Sequence, residues 1–276
     1  MIVLPVQPSS NSSYTAFTVA LSSVSLKDAS GNTAFSQANL ALPVILDSGT
    51  TATYLPDSVI NPIMSGVGAI NDPDFGLIVP CKLSNSPATF NFGFGGDGGP
   101  SIQVSFGEFV IDIFLEDGSQ PTFKDGAGPV CGFGIMSSGT GPIIFGDTFL
   151  RSAYVVYDLT NNQIGLAQTN FNATSASVVA VSGSEIPSAT ATASGVAVTQ
   201  TYQGHPQETD AATKKGGQQA TGGHGTPTFN LGGSATGKSK GAAAAIVAPR
   251  IDAMSALASV VVLLSLVFGG SMVYIM

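Results

Sequence analysis

What most limits the folds open to this chain is how its first 170 residues break into short apolar runs divided by turn residues. "YTAFTVALSSVSL" (residues 14–26) alternates apolar with small polar side chains, the two-residue period of a strand with one buried face. "DASGN" follows as a turn signal and "NTAFSQANLA" returns, which predicts a hairpin. "PVILDSGT" is rich in β-branched residues and too short for a lone helix, so it suits a central strand ending at Asp47. Further strands are predicted at "GLIVP", "TFNFGF", "SIQVSF" and "EFVIDIF", separated by turns such as "GGDGGP". "PDSVINPIMSGVGAI" (residues 56–70) predicts a short helix with Val59, Ile60, Ile63 and Met64 on one face and Gly66 near its stop. "PIIFGDTFLRSAYVVYDLTNNQIGLAQ" (residues 142–168) predicts a strand, one helical turn and a hairpin closed near Asn161-Asn162. The expectation is an all-β domain with minor helices.

Beyond residue 170 the composition changes. From 171 to 252 large apolar residues thin out and Ala, Ser, Thr, Gly and Gln dominate, as in "TSASVVAVSGSEIPSATATASG". Such a segment buries too little surface to offset its ordering entropy, so it is expected to be a disordered stalk, a natural O-glycosylated spacer. His205, His224 and Lys214-Lys215 fall there and are expected to be solvated, without a site role. From 253 to 276, "AMSALASVVVLLSLVFGGSMVYIM" carries no charge and is long enough to span a bilayer. A terminal apolar tail behind small residues is the pattern of a glycolipid (GPI) attachment signal, with Gly241 as the expected attachment residue and Gly237 and Ser239 as alternatives. A retained transmembrane tail is the competing reading. The front end, "MIVLPVQPSS", has no positive residue and only four apolar residues before Pro5, so it is not a signal peptide. A chain bound for the cell surface needs one, and the expectation is a fragment or a start placed too late.

Charge follows the same division. Residues 1–170 hold 13 Asp and Glu against 4 Lys and Arg, and residues 171–276 hold 4 against 5, which together give the −8 of the whole chain. An acidic domain without basic clusters argues against nucleic-acid binding, which places Lys and Arg on phosphates. It is compatible with a cationic partner or an acidic working pH. The two cysteines, Cys81 and Cys131, both lie in the folded part, while both histidines lie in the stalk, so a four-ligand zinc site is not expected and no metal or cofactor is. A single disulfide is preferred to two free thiols. It would close a loop of about 50 residues, contribute roughly 4 kcal/mol on the chain-entropy model, and imply an oxidising, secretory compartment. Two N-glycosylation sequons agree, at Asn11 and Asn172.

Asp47 is the residue that composition does not explain, because a carboxylate at the end of a buried run is costly unless its charge is bound or used. "ILDSGTT" (residues 45–51) resembles the active-site signature of the pepsin-like aspartic proteases (peptidase A1). "IIFGDTFLRSAYVVYDLTNNQIGLAQ" resembles that family's C-terminal block: apolar residues, Gly-Asp, a short helix, then a Val-rich hairpin. The two blocks occur in this order with the cysteine pair between them, and the likeness spans residues 14–168. The stalk and tail look like the surface-anchored fungal, yapsin-like members.

The resemblance implies a single lobe of a bilobal acid protease, namely its C-terminal lobe, because the block at Gly146 closes the second lobe in that family. It implies hydrolysis of peptide and protein substrates by a water activated between two aspartates. Asp47 would be one catalytic aspartate, supported by Ser48, Gly49, Thr50 and Thr51: Gly49 for the tight turn, Thr50 donating its hydroxyl to the carboxylate, Ser48 in the lock between lobes. Cys81 and Cys131 would form the lobe's disulfide, and Asp147 would cap the short helix. No second Asp-Thr/Ser-Gly-Thr/Ser motif occurs in the 276 residues, and no flap tyrosine can be placed; Tyr54 is too near Asp47 in sequence. The N-terminal lobe is therefore expected to be missing from this chain, a homodimer pairing two Asp47 loops being one other route to activity. The acidic residues Glu108, Glu116, Asp117 and Asp125 either line the cleft and favour basic substrates or form a solvated surface. The alternative to an endopeptidase is a non-catalytic GPI-anchored wall protein or pseudoprotease built on the lobe.

Overall fold

In a computed structural model, residues 1–9, 12–35, 40–175, 178–180, 183, 185–198, 219–220 and 222–232 are described. They fall in one compact unit, Met1–Ser234. The strands in chain order are β1 (Ile2–Pro5), β2 (Thr18–Asp28), β3 (Gly31–Ala34), β4 (Leu42–Leu46) and β5 (Thr53–Leu55), followed by the helix α1 (Asp57–Val67). Then come β6 (Ile70–Asp72), β7 (Gly76–Pro80), β8 (Thr89–Phe94), β9 (Ser101–Ser105), β10 (Val110–Asp112), β11 (Val130–Phe133), β12 (Ile135–Ser137) and β13 (Ile143–Phe145). The helical turn α2 (Asp147–Leu150), β14 (Ala153–Asp158), β15 (Gln163–Gln168) and β16 (Ala191–Thr192) complete the described elements. Two 3-10 helices, Cys81–Asn85 and Phe106–Phe109, link strands.

The largest sheet runs β12-β5-β13-β4-β2-β8-β9, with β3 hairpinned onto β2. β4 is central, as its unbroken apolar run requires: β2 pairs with it antiparallel and β13 parallel. The β2–β3 turn closes at Asp28 opposite Gly31, with Asp28 Oδ1 accepting the N–H groups of Ser30 and Gly31. The strict alternation of β8 sends Phe90, Phe92 and Phe94 to one face, where they meet Phe106, Phe109, Phe145 and Phe149. These rings sit 5–6 Å apart, at the spacing of edge-on and offset aromatic pairs, and anchor the main core. Two smaller sheets flank it: β14-β15-β1-β16 and β10-β11-β7-β6.

α1 begins after Pro56 and buries Val59, Ile60 and Ile63 on the predicted face. It ends at Gly68, in the left-handed conformation that favours glycine, with Gly66 in its last turn, near the stop as expected. Asp147 does not cap α2. Gly146 occupies the cap position, and Asp147 is the exposed first helical residue, where a carboxylate suits the helix N-terminus. The first residues supply β1, which pairs with β15 from Ile2 opposite Leu166 to Pro5 opposite Gln163. Pieces of the segment read as a stalk also differ from expectation. β16 lies parallel to β1, Ile186 and Ala193 are buried, and residues 219–220 and 222–232 run over the lobe surface. Among the described residues no helix is long and apolar enough to cross a membrane; the apolar tail, Gly241, Asn11, His205 and Lys214-Lys215 lie outside them.

Candidate active site

Asp47 leaves the central strand where the ladder ends. Its N–H makes the last rung, to the Phe145 carbonyl at 3.1 Å, and the loop then turns out of the sheet. The half-buried carboxylate is held at both oxygens: Oδ1 accepts the Gly49 N–H at 3.0 Å and Oδ2 accepts the Thr50 hydroxyl at 2.8 Å. Thr50 N–H also donates to the Asp47 carbonyl, closing the turn, and Thr50 is buried whereas Ser48, Gly49 and Thr51 are exposed. Two charge-assisted bonds fix the plane of the carboxylate while solvent still reaches it.

The loop is clasped by the start of α2. Gly146 N–H donates to the Ala52 carbonyl, Asp147 N–H to Thr50 and Thr148 N–H to Thr51, at 3.2, 2.8 and 3.1 Å. The helix's first donors, which have no partner within a helix, thus bind the loop's free carbonyls. Only glycine fits at 146, since a Cβ there would lie 2.1 Å from the Thr50 oxygen and 2.7 Å from that of Ala52. Beneath the clasp, the buried hydroxyls of Thr53 and Thr148 meet at 2.9 Å. The two sequence blocks around Asp47 and Gly146 are therefore one structural unit, joined by backbone bonds.

Sequence reasoning missed Tyr157. Its ring packs on Phe17 with centroids 4.5 Å apart, and the Phe17 carbonyl accepts the N–H of Leu46, the residue before Asp47. Burial, and then the charge of Asp47, push the Tyr157 hydroxyl above its ordinary range. Only the fold brings β14 beside the Asp47 loop, so no local signal marks it.

The other predicted residues lie apart from this loop. Cys81 and Cys131 form a disulfide with Cα atoms 4.9 Å apart, tying the 3-10 helix Cys81–Asn85 to β11. Asn172 is exposed. Glu108 pairs with Arg151 at 2.7 Å, and Asp125 pairs with His224 at 2.7 Å, so His224 is engaged rather than free in solvent. The Ser119 hydroxyl and N–H hold the Asp117 carboxyl below the usual range, and Glu116 is exposed. Three of the four acids proposed for a cleft thus have local partners of their own.

A carboxylate oriented as Asp47 is can accept a proton from a water or hold one for a carbonyl oxygen. Doing both on one substrate takes a second carboxyl.

The comparisons with known proteins agree with this geometry. The chain is 39% identical over 190 residues to a probable aspartic-type endopeptidase opsB of Aspergillus fumigatus, a match covering 68% of this chain and 37% of that protein. It is 36% identical over 247 residues to a probable aspartic-type endopeptidase OPSB of Arthroderma benhamiae, covering 85% and 48%. Aspartic proteinase 3 of Saccharomyces cerevisiae is 34% identical over 190 residues, covering 68% and 30%. The chain thus spans less than half the length of each of these relatives. The crystal structure of Basic 7S globulin from soybean aligns at a TM-score of 0.44 and 17% identity, covering 61% of this chain and 42% of that one, a likeness too low to bear on function. The model of the family described as "Eukaryotic aspartyl protease" matches residues 3–169, a span that takes in the Asp47 loop and its clasp, and the chain belongs to that family.

Proposed function

We propose that residues 1–170 are the C-terminal lobe of a pepsin-like aspartic endopeptidase, with Asp47 as one of two catalytic carboxyls. The observation that carries this reading is the Asp47 carboxylate itself, half-exposed at the end of a central strand and held by Gly49 N–H and the Thr50 hydroxyl. The second carboxyl would come from the matching loop of an N-terminal lobe. The relatives' greater length is consistent with that. Two carboxyls about 3 Å apart share one proton, because both cannot comfortably ionise. The ionised one takes a proton from water as the water oxygen bonds to the scissile carbonyl carbon. The protonated one gives its proton to the carbonyl oxygen, forming a neutral gem-diol. The C–N bond then breaks as the nitrogen is protonated and a diol hydroxyl loses its proton, which leaves an acid, an amine and one proton on the carboxyl pair.

The same reading places the protein at the cell surface as a secreted glycoprotein, held to the membrane through residues 253–276 or a lipid attached near Gly241. The Cys81–Cys131 disulfide supports an oxidising compartment, and exposed Asn172 is accessible for glycosylation. The test uses a polypeptide carrying both lobes. It is expected to hydrolyse an unfolded protein substrate at acid pH and to be blocked by pepstatin; hydrolysis that persists under pepstatin contradicts the proposal. Release from membranes by a phosphoinositide-specific phospholipase C tests the anchor separately.

A further inference from the structure

Residues 219–220 and 222–232 occupy a track on the lobe that is shaped to receive them. Ala220 is fully buried with Ile78, Phe123 and Val130, and its N–H donates to the Thr122 carbonyl at 2.9 Å. Asp125 Oδ2 accepts the His224 N–H and lies 2.7 Å from its Nδ1, and this contact holds the Asp125 carboxyl below its usual range. Thr228 and Phe229 both donate their N–H groups to the Gly66 carbonyl, at 2.9 and 3.1 Å. The Phe229 ring stands edge-on to Phe35 with centroids 5.6 Å apart. Asn230 N–H reaches Asp28 Oδ2 at 2.7 Å, and the Ser86 hydroxyl donates to the Leu231 carbonyl at 2.9 Å, seating Leu231 in the main core.

The lobe's own residues match this occupant. Gly66 sits in the last turn of α1, one residue before its end, where alanine is the better helix former. The strap accounts for it: a Cβ on Gly66 would lie 1.8 Å from the Phe229 ring. At Gly68, a Cβ would lie 2.8 Å from the Gly225 carbonyl oxygen. These contacts lie on the β2–β3 turn, α1, Ser86 and the loop after β10 rather than on the Asp47 loop.

We propose that this track is a binding site for the chain's own C-terminal segment, a strap that sets where the C-terminal tether leaves the lobe. With residues 219–232 seated, residues 233–252 alone separate the lobe from the apolar tail. These 20 residues reach at most about 70 Å when fully extended, against about 190 Å for the 54 residues from 199 to 252 that follow the packed β16 segment. The strap therefore shortens the free chain between its last seated residue and residue 253, and it does so whether or not Asp47 is catalytic.

Gly66→Ala in the full chain tests this with opposite signs. With no docked strap, alanine only improves the helix. With the strap docked, its methyl evicts Phe229. Hydrogen exchange read at Ala220, Thr228 and Phe229 is expected to be slowed at least tenfold in the natural chain relative to a free peptide of residues 219–232, and to lose about that protection in Gly66→Ala while β8 and β9 amides keep theirs. Phe229→Ala, which leaves α1 untouched, is expected to lose the same protection. Free-peptide exchange rates in the natural chain, or unchanged protection in both variants, would overturn the proposal.

Discussion

The eight-stranded sheet and the four-stranded sheet β10-β11-β7-β6 are held together by different means. The larger one has its seven-phenylalanine cluster and buries β8 on every second residue. The smaller one turns Val79 and Phe133 into that same core, and buries Ile78, Phe123 and Val130 in a separate small cluster with Ala220, which comes from the strap. That separate cluster is small, so at roughly 25 cal/mol per Å2 it adds little beyond the shared core. A covalent tie and a borrowed side chain add to it. The Asp47 loop belongs to the region of the large core, and its backbone is tied to the paired strands β4 and β13 beneath it through the Asp47 N–H bond to Phe145.

Predictions that would break or sharpen this contrast rank by size. Phe92→Ala removes the ring shared by Phe90, Phe109, Phe145 and Phe149, and is expected to cost about 3–5 kcal/mol, seen as a fall in Tm of roughly 10 °C. A loss below about 1 kcal/mol would mean that the cluster does not carry the larger sheet. Replacing Cys81 and Cys131 together with serine is expected to cost about 2–4 kcal/mol, with β7 and β11 amides opening to exchange before those of β8 and β9. Equal loss of protection in both sheets would make them a single cooperative unit. Thr50→Val keeps the shape of a buried side chain but removes the bond to Asp47 Oδ2. It is expected to cost about 1 kcal/mol of stability by thermal melt, and in an active two-lobed protein to lower kcat roughly tenfold with KM little changed.

Much of this contrast is legible in the sequence. β2, β8 and β9 follow from alternation, because one face of each is buried and the period of two survives, while β7 and the final hairpin follow from short apolar runs bounded by turn residues. The three-residue strands β5 and β12 do not, since pairing across the sheet makes them rather than any pattern of their own. The end of α1 is legible, since Gly66 lies near it as expected, but the Phe229 ring packed against Gly66 is not. The strap is invisible for the same cause, its anchors Ala220, Phe229 and Leu231 being spread without period through a polar stretch. At the site, Asp47, Gly49 and Thr50 are readable from their motif. Tyr157 is not, because only the packing of β14 beside β4's end puts it in the field of Asp47.

The central claim is that Asp47 is one of two carboxyls sharing a catalytic proton. Asp47→Asn tests it most directly, made in a polypeptide with both lobes and assayed for acid-pH hydrolysis of an unfolded protein, with the thermal melt as a check on folding. The account predicts an unchanged melt within about 1 kcal/mol and hydrolysis reduced by at least about a thousandfold, since an amide can be neither the base nor the acid of the pair. A folded Asp47→Asn protein that keeps near-natural activity would contradict it.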